Sequence, residues 1–132
     1  MSHAELVAAS NFSFLRGASH AHDLVAQAVA LGCAGIGIAD RNTVAGVVRA
    51  YSALNQIKEK HREETGGELP FRLAVGARLV FEDGAPDVVA YPANRNGWGR
   101  LCRLLTTATC AGQKVSVDLR STISSTTRTT CC

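Results

Sequence analysis

Apolar and polar positions along this chain follow two rhythms. Short apolar runs recur at residues 5–9 (ELVAA), 34–39 (AGIGIA), 71–81 and 87–91, each the length of one strand. Between them, apolar residues fall three and four apart. Leu24, Val25, Ala28, Val29 and Leu31 stripe an amphipathic helix over 20–31, with Ser19 as its N-cap, Asp23 in the first turn and Gly32 as its stop. Val44, Val47, Val48, Tyr51, Leu54 and Ile57 predict one face of a longer helix from about Thr43, ended by Thr65, Gly66 and Gly67. The third strand is expected to be interrupted at Gly76, and EDGAP at 82–86 to connect it tightly to the fourth. Trp98, Leu101, Cys102, Leu104 and Leu105 mark a final helix. The order βαβαββα predicts an α/β fold with parallel strands and right-handed crossovers.

Composition narrows the class. With 132 residues and 46% hydrophobic content, the chain suits one small domain or a piece of a larger one. Its net charge of +3 is spread out, and the longest charged stretch, KEKHREE at 58–64, is mixed in sign, so charge alone does not point to nucleic acid. No apolar run reaches the ~18 residues that cross a bilayer. The start MSHAELVAAS lacks a basic segment and a long apolar core, so a cytoplasmic location is expected. Five irregularly spaced cysteines without a CxxC pair suggest neither a disulfide framework nor a zinc site. Cys33 and Cys102 sit in apolar segments and are expected as buried thiols, and Cys131 and Cys132 carry no assigned role.

In α/β folds chemistry collects where strands end and loops begin. The segments to examine are therefore 10–19, 40–42 and 76–78. Read in order, ELVAASNFSFLRGASH, LGCAGIGIADRNTVAGVVRAY, VGARL and YPANRNGWGRLCRLLT resemble the N-terminal PHP (polymerase and histidinol phosphatase) domain of C-family bacterial DNA polymerases. The phrases NFSFLRGASH and ADRNTVAGVVRA are closer to the error-prone alpha-subunit branch than to the replicative one. The resemblance implies a partial PHP-type distorted (βα) barrel, comprising the first three to four βα units only.

Metal-competent members of that family carry an HxH pair on the first strand, an acid in the next loop, Asp-His after the second strand and Glu after the third. Such donors would hold divalent metals that activate water on a phosphate ester. Carried across, the pattern is degenerate: Val7 and Ala9 occupy the HxH positions, Arg16 the loop acid, Arg41 the His after Asp40, and Arg78 the Glu. Apolar side chains cannot ligate a metal, and converging guanidinium groups repel cations. Only Asp40 remains a ligand type. The resemblance thus implies no catalytic and no metal residue, with Arg16, Arg41 and Arg78 expected to converge on Asp40 in a charge-assisted network. Two alternatives stand beside it: arginines that merely solvate the barrel mouth, and a site for an anion.

The HAH at 20–22 mimics the family pair but arrives about a dozen residues late. At a helix start, residues two apart point about 200° apart, so His20 and His22 are expected to be exposed rather than ligating, and His3 and His61 solvated. Asn11 and Ser13 are expected to brace the first loop over apolar pegs Phe12, Phe14 and Leu15, with no nucleophile and base pair legible. NRNGWG at 94–99 is expected as a turn opening the last helix, with Trp98 a packing anchor rather than a base-stacking platform.

After Thr107 the resemblance stops. Residues 108–132 are rich in Ser and Thr and lack helical periodicity, which predicts a divergent, disordered tail, with a shifted reading frame as its expected origin. Residues 1–107 would be the partial PHP domain. Open barrel edges would then leave a marginal, aggregation-prone fragment. The function implied is that of a PHP-domain fragment of an error-prone DNA-directed DNA polymerase, serving DNA repair and translesion synthesis in the full-length parent. The fragment itself is expected to be inactive, structural and without a cofactor, magnesium serving only the full-length enzyme. Its implied partners are the remainder of the polymerase chain and accessory subunits, with DNA reached only through the missing domains and no membrane. The other classes are a metal-dependent phosphoesterase or exonuclease and a stand-alone protein-interaction module.

Overall fold

The computed structural model describes residues 3–81 and 85–110. The elements are β1 (Ala4–Ala8), α1 (Ala21–Ala30), β2 (Gly35–Arg41), α2 (Val47–Thr65), β3 (Arg72–Leu79), β4 (Val88–Ala90) and α3 (Arg95–Cys110), in the order expected. They form one curled four-stranded sheet, β1-β2-β3-β4, the half-barrel of a partial (βα) barrel. The first three strands are parallel, whereas β4 runs antiparallel to β3, because the eight residues between them are too few for the crossover that a parallel pairing needs. Residues 82–84 of that connection and residues 111–132, with Cys131 and Cys132, lie outside the described residues, and α3 runs on to Cys110, so the first three residues of the tail expected over 108–132 belong to the helix.

Strand alternation sorts the sheet into two faces. Ile36 and Ile38 of β2 point to the helices and join Ala21, Val25 and Ala28 of α1, Ala50 and Leu54 of α2, and Phe71 in one core. A second cluster sets Ala77 and Leu79 of β3 against Leu101 and Leu105 of α3, with Trp98 packed beside them, as expected of an anchor. Asn94 opens α3: its Oδ1 accepts from the Gly97 amide at 2.8 Å.

The helix ends follow simple chemistry. Past α1, Gly32 takes φ 72°, and the amides of Gly32 and Cys33 donate to the Val29 and Ala28 carbonyls, a Schellman closure. The start of α1 departs from expectation: its N-cap is His20, and no side chain caps it. Gly66, at φ 70°, ends α2 as read. That helix begins at Val47 rather than near Thr43, because Gly46 is pressed against Asp40 and Ser10, where an added Cβ would lie 2.9 Å from the carboxylate. Its buried face also differs from the expected stripe. Ala50 and Leu54 are buried, whereas Val48 and Tyr51 are 75% and 60% exposed, as is Leu31 after α1 at 71%. Close approach of α1 and α2 favours the small Ala50 over its larger neighbours. Cys33 and Cys102 are free thiols, only half-buried.

The concave face of the sheet is lined by small residues, and β3 crosses it without the expected interruption at Gly76. The Tyr91 ring lies over Gly76, and its hydroxyl reaches across Gly37 to donate to the Leu6 carbonyl on β1. A Cβ at Gly37 would come within 2.7 Å of that hydroxyl. Burial, and then the Glu5 carboxylate, push the Tyr91 phenol above its ordinary value of 10.0. The protonated phenol makes the bond, so its stabilisation is fully present below pH 10 and is lost as pH rises through the raised folded value. Urea midpoints taken upward from pH 9 should fall above pH 10 in the native chain. The Tyr91→Phe variant should start lower and lack that component of the decline.

Candidate functional site at the strand ends

The loop that follows β1 folds back on itself to deliver two serines to the end of β2. Within it the Ser13 amide donates to the Ser10 carbonyl at 2.9 Å, and the Arg16 and Gly17 amides donate to the Ser13 carbonyl. Gly17 returns so close to the Ala9 and Ser10 carbonyls that no Cβ would fit. Leu15, just before Arg16, is held at φ 61°, a left-handed conformation that costs a branched apolar residue about 1 kcal/mol or more.

Asp40 is the buried charge of this region, at 1% exposure. Its Oδ1 accepts from the Ser10 amide and the Ser13 hydroxyl, both at 2.7 Å, and its Oδ2 accepts from the Ser10 hydroxyl at 2.7 Å. Each hydroxyl accepts in turn: Ser10 Oγ from the Phe12 amide at 3.3 Å, Ser13 Oγ from the Arg41 amide at 3.0 Å. The network is closed, and it ties the first loop to the end of β2.

Beside it, on the concave side, lies a cavity of about 20 Å³ lined by Ala9, Ser13, Arg16, Ala39, Arg41, Arg78, Val80 and Asp87. The three arginines that the resemblance placed at metal positions thus do meet in one cavity, with Ala9 as its apolar floor. They do not converge on Asp40, whose partners are the serines, and this corrects the expected arginine–aspartate network. The reason is strand alternation: neighbouring residues on β2 face opposite ways, Asp40 toward α2 and Arg41 into the cavity. Arg78 donates instead from Nε to Asp87 at 2.8 Å, a half-exposed pair of small stabilising value. Val7 does not line the cavity and is 45% exposed on β1.

Asn42 braces the strand ends behind the cavity, a role the sequence reading missed. At φ 51° it sits in the left-handed region that Asn tolerates, and its amide donates to the Arg78 carbonyl at 2.9 Å. Its carboxamide clamps Val80, accepting from the amide at 2.9 Å and donating to the carbonyl at 3.3 Å. This fixes the ends of β2 and β3 side by side.

The remaining candidates are placed as follows. Phe12 is half-buried under the Arg49 guanidinium, 5.8 Å from its ring centre. Phe14 and Leu15, expected as pegs, are 81% and 88% exposed, because the tight turn around Ser13 points them outward. Asn11 Oδ1 is buried without a donor among the described residues, and the residue braces the loop through its amide, bonded to the Ser19 carbonyl at 2.9 Å. His20 and His22 are exposed as expected, but their rings stack at 5.3 Å instead of diverging, because His20 precedes the helix in extended conformation.

The donor set at the strand ends does not suit a divalent metal. Ala9 offers no ligand atom, three guanidinium groups oppose a cation, and both oxygens of Asp40 already accept hydrogen bonds. Among the described residues no three His, Cys, Asp or Glu side chains are grouped to hold one. No helix among them is long and apolar enough to cross a membrane.

Comparison with known proteins gives this geometry a family. The PHP domain family matches residues 5–128, running past Thr107, where the sequence reading ended its resemblance. An error-prone DNA polymerase of Brucella abortus is 58% identical over 102 residues, 77% of this chain and 9% of that protein. Its counterpart from Rhodopseudomonas palustris strain BisB5 is 53% identical over 112 residues, 85% of this chain and 9% of the relative. Error-prone DNA polymerase 1 of Rhizobium meliloti is 51% identical over 110 residues, again 9% of its length. This chain therefore spans about a tenth of the polymerases it matches. A solved chain from Bifidobacterium adolescentis, described as a proposed metal-dependent phosphoesterase, is 28% identical and superposes with a TM-score of 0.47, covering 78% of this chain and 33% of its own. With the family matched over nearly its whole length, this chain belongs to the PHP domain family.

Proposed function

We propose that this chain is the PHP portion of an error-prone DNA polymerase and that its part in that enzyme is structural, without phosphoesterase chemistry of its own. The observation that carries this reading is the strand-end cavity, lined by Ala9, Arg16, Arg41 and Arg78, the residues that the resemblance aligns with the family's metal positions, while Asp40 is spent on Ser10 and Ser13. The relatives named error-prone DNA polymerase, at 51–58% identity, support the parentage. On this reading the partners are the rest of a cytoplasmic polymerase chain and its accessory subunits. Magnesium and DNA serve the parent's polymerase domains.

A chimera tests both halves of the proposal. In the Brucella polymerase, the matching segment is replaced by this chain, and primer extension over a damaged template is measured beside a deletion of the segment. The chimera should extend primers at a rate within about threefold of the parent, the span of typical context effects at such a junction, while the deletion should lose extension and thermal stability. A chimera as inactive as the deletion would sink the parentage. Hydrolysis of a phosphate ester by this chain that rises with manganese above a chelated control would favour the phosphoesterase reading instead.

A further inference from the structure

Among the described residues, the two most exposed large apolar side chains are neighbours in sequence, Phe14 and Leu15, at the tip of the loop between β1 and α1. The base of that loop is rigid: Ser10, Ser13 and Asp40 are buried and joined by three hydrogen bonds of 2.7 Å. The turn above it is closed by the Arg16 and Gly17 amides, both donating to the Ser13 carbonyl. Leu15 itself stands at φ 61°, where a branched apolar residue is disfavoured and Asn or Gly is at ease.

Two costs therefore fall on one spot, backbone strain and apolar surface in water. Apolar side chains scattered singly over a surface need no explanation, but two side by side on a strained, rigid turn do. The same end of the sheet also exposes Val48 and Tyr51 in the first turns of α2. The loop is packed onto that helix start, with Phe12 against Gly46 and under the Arg49 guanidinium.

We propose that Phe14 and Leu15 are the plug by which this domain docks on the remainder of its polymerase chain, entering an apolar pocket there, with Val48 and Tyr51 at the margin of the contact. This docking site rests on the parentage proposed above and names the surface through which the structural role is exerted. Its size points to a partner in the same chain. A buried phenylalanine hides about 150–250 Å², so the plug and its margin fall well short of the roughly 1,200–2,000 Å² that holds separate proteins together. Within one chain the covalent link supplies an effective concentration on the order of millimolar, and a small contact suffices. This chain spans 9% of each polymerase relative, so most of that enzyme is available to supply the pocket.

The double variant Phe14→Ser/Leu15→Asn tests the docking site in two settings, because it removes the apolar tip while Asn keeps the left-handed turn. In the isolated chain the melting temperature, followed by circular dichroism, should hold or rise by up to about 5 °C as the strain is relieved. In the Brucella chimera the same variant should lower the melting temperature by about 5 °C and speed tryptic release of the segment about tenfold. Leu31→Ser, at an exposed apolar position beyond α1 on the opposite end of the sheet, should change neither. A double variant that leaves the chimera as stable as the native segment does overturns the docking site while the parentage stands. An equal loss in the isolated chain also overturns it, since the tip then serves the domain's own fold. A concentration-dependent dimer of the isolated chain that the double variant abolishes assigns the tip to a second copy instead. A native chimera that already behaves like the deletion fails with the parentage, and the docking site falls with it.

Discussion

Replacing Asp40 by alanine should unfold the chain or bring it close to unfolding. The carboxylate accepts from the Ser10 amide, the Ser10 hydroxyl and the Ser13 hydroxyl, all at 2.7 Å and all buried. Alanine leaves three donors without an acceptor in a site sealed from water. At about 1.5–3 kcal/mol for a hydrogen bond to a charged group, with incomplete additivity, the expected loss is about 3–5 kcal/mol. Domains of modest size hold about 5–15 kcal/mol in all, so the urea midpoint should drop to a small fraction of the native value. Asp40→Asn keeps the volume and one accepting oxygen, and rotation of the Ser10 hydroxyl can meet the new amide. Its cost should be nearer 1–2 kcal/mol. An alanine variant that loses less than about 1 kcal/mol would show that the serine network does not hold the loop to β2.

Gly76→Val should detach β4 while leaving the β1–β2–β3 core paired. A Cβ at position 76 would press into the Ala90 carbonyl on the neighbouring strand and come within 2.7 Å of Tyr91 Cδ1. A backbone carbonyl cannot swing aside as a side-chain tip can, so β4 must move as a unit. Overpacking of this kind costs about 1–3 kcal/mol, and losing the Tyr91 contact to Leu6 adds to it. Hydrogen exchange gives the local reading: the Ala77–Ala90 and Leu79–Val88 pairings should lose protection, while the β2–β3 ladder from Gly35–Arg72 onward keeps it. Gly67→Ala is the control, because its nearest neighbour is a Thr65 hydroxyl 3.8 Å away, and it should stay within about 0.5 kcal/mol of the native chain. Uniform loss of protection across all four strands would mean that β4 is no separate unit.

Element order was legible because apolar period and punctuation agreed. Gly32 and Gly66 end α1 and α2 in left-handed conformations where the reading put the stops. The buried face of α2 was less legible, since the contact is made by Ala50, whose small side chain carries little weight in a hydrophobic pattern. At the site, the meeting of Arg16, Arg41 and Arg78 came from the resemblance and holds in space. Their supposed aspartate partner was misplaced, although strand alternation already required Asp40 and Arg41 to part. The serine partners lie 27 and 30 residues from Asp40, a distance over which serine leaves no pattern. Asn42 was readable only as a turn residue, because its two bonds to Val80 depend on how β2 and β3 end together.

The Tyr91 hydroxyl bonded to the Leu6 carbonyl joins residues 85 apart in sequence, and this sets a timetable for synthesis. At about 5–20 residues per second, a ribosome makes that length of chain in roughly 4–17 seconds. For that interval β1 emerges ahead of the residue that clasps its open face, with Leu6 and Val7 in water, while α1, β2 and α2 can already assemble from nearby contacts. β1 can thus pair with β2 early but receives its Tyr91 clasp late, and until then chaperone capture of the nascent chain should centre on its open face.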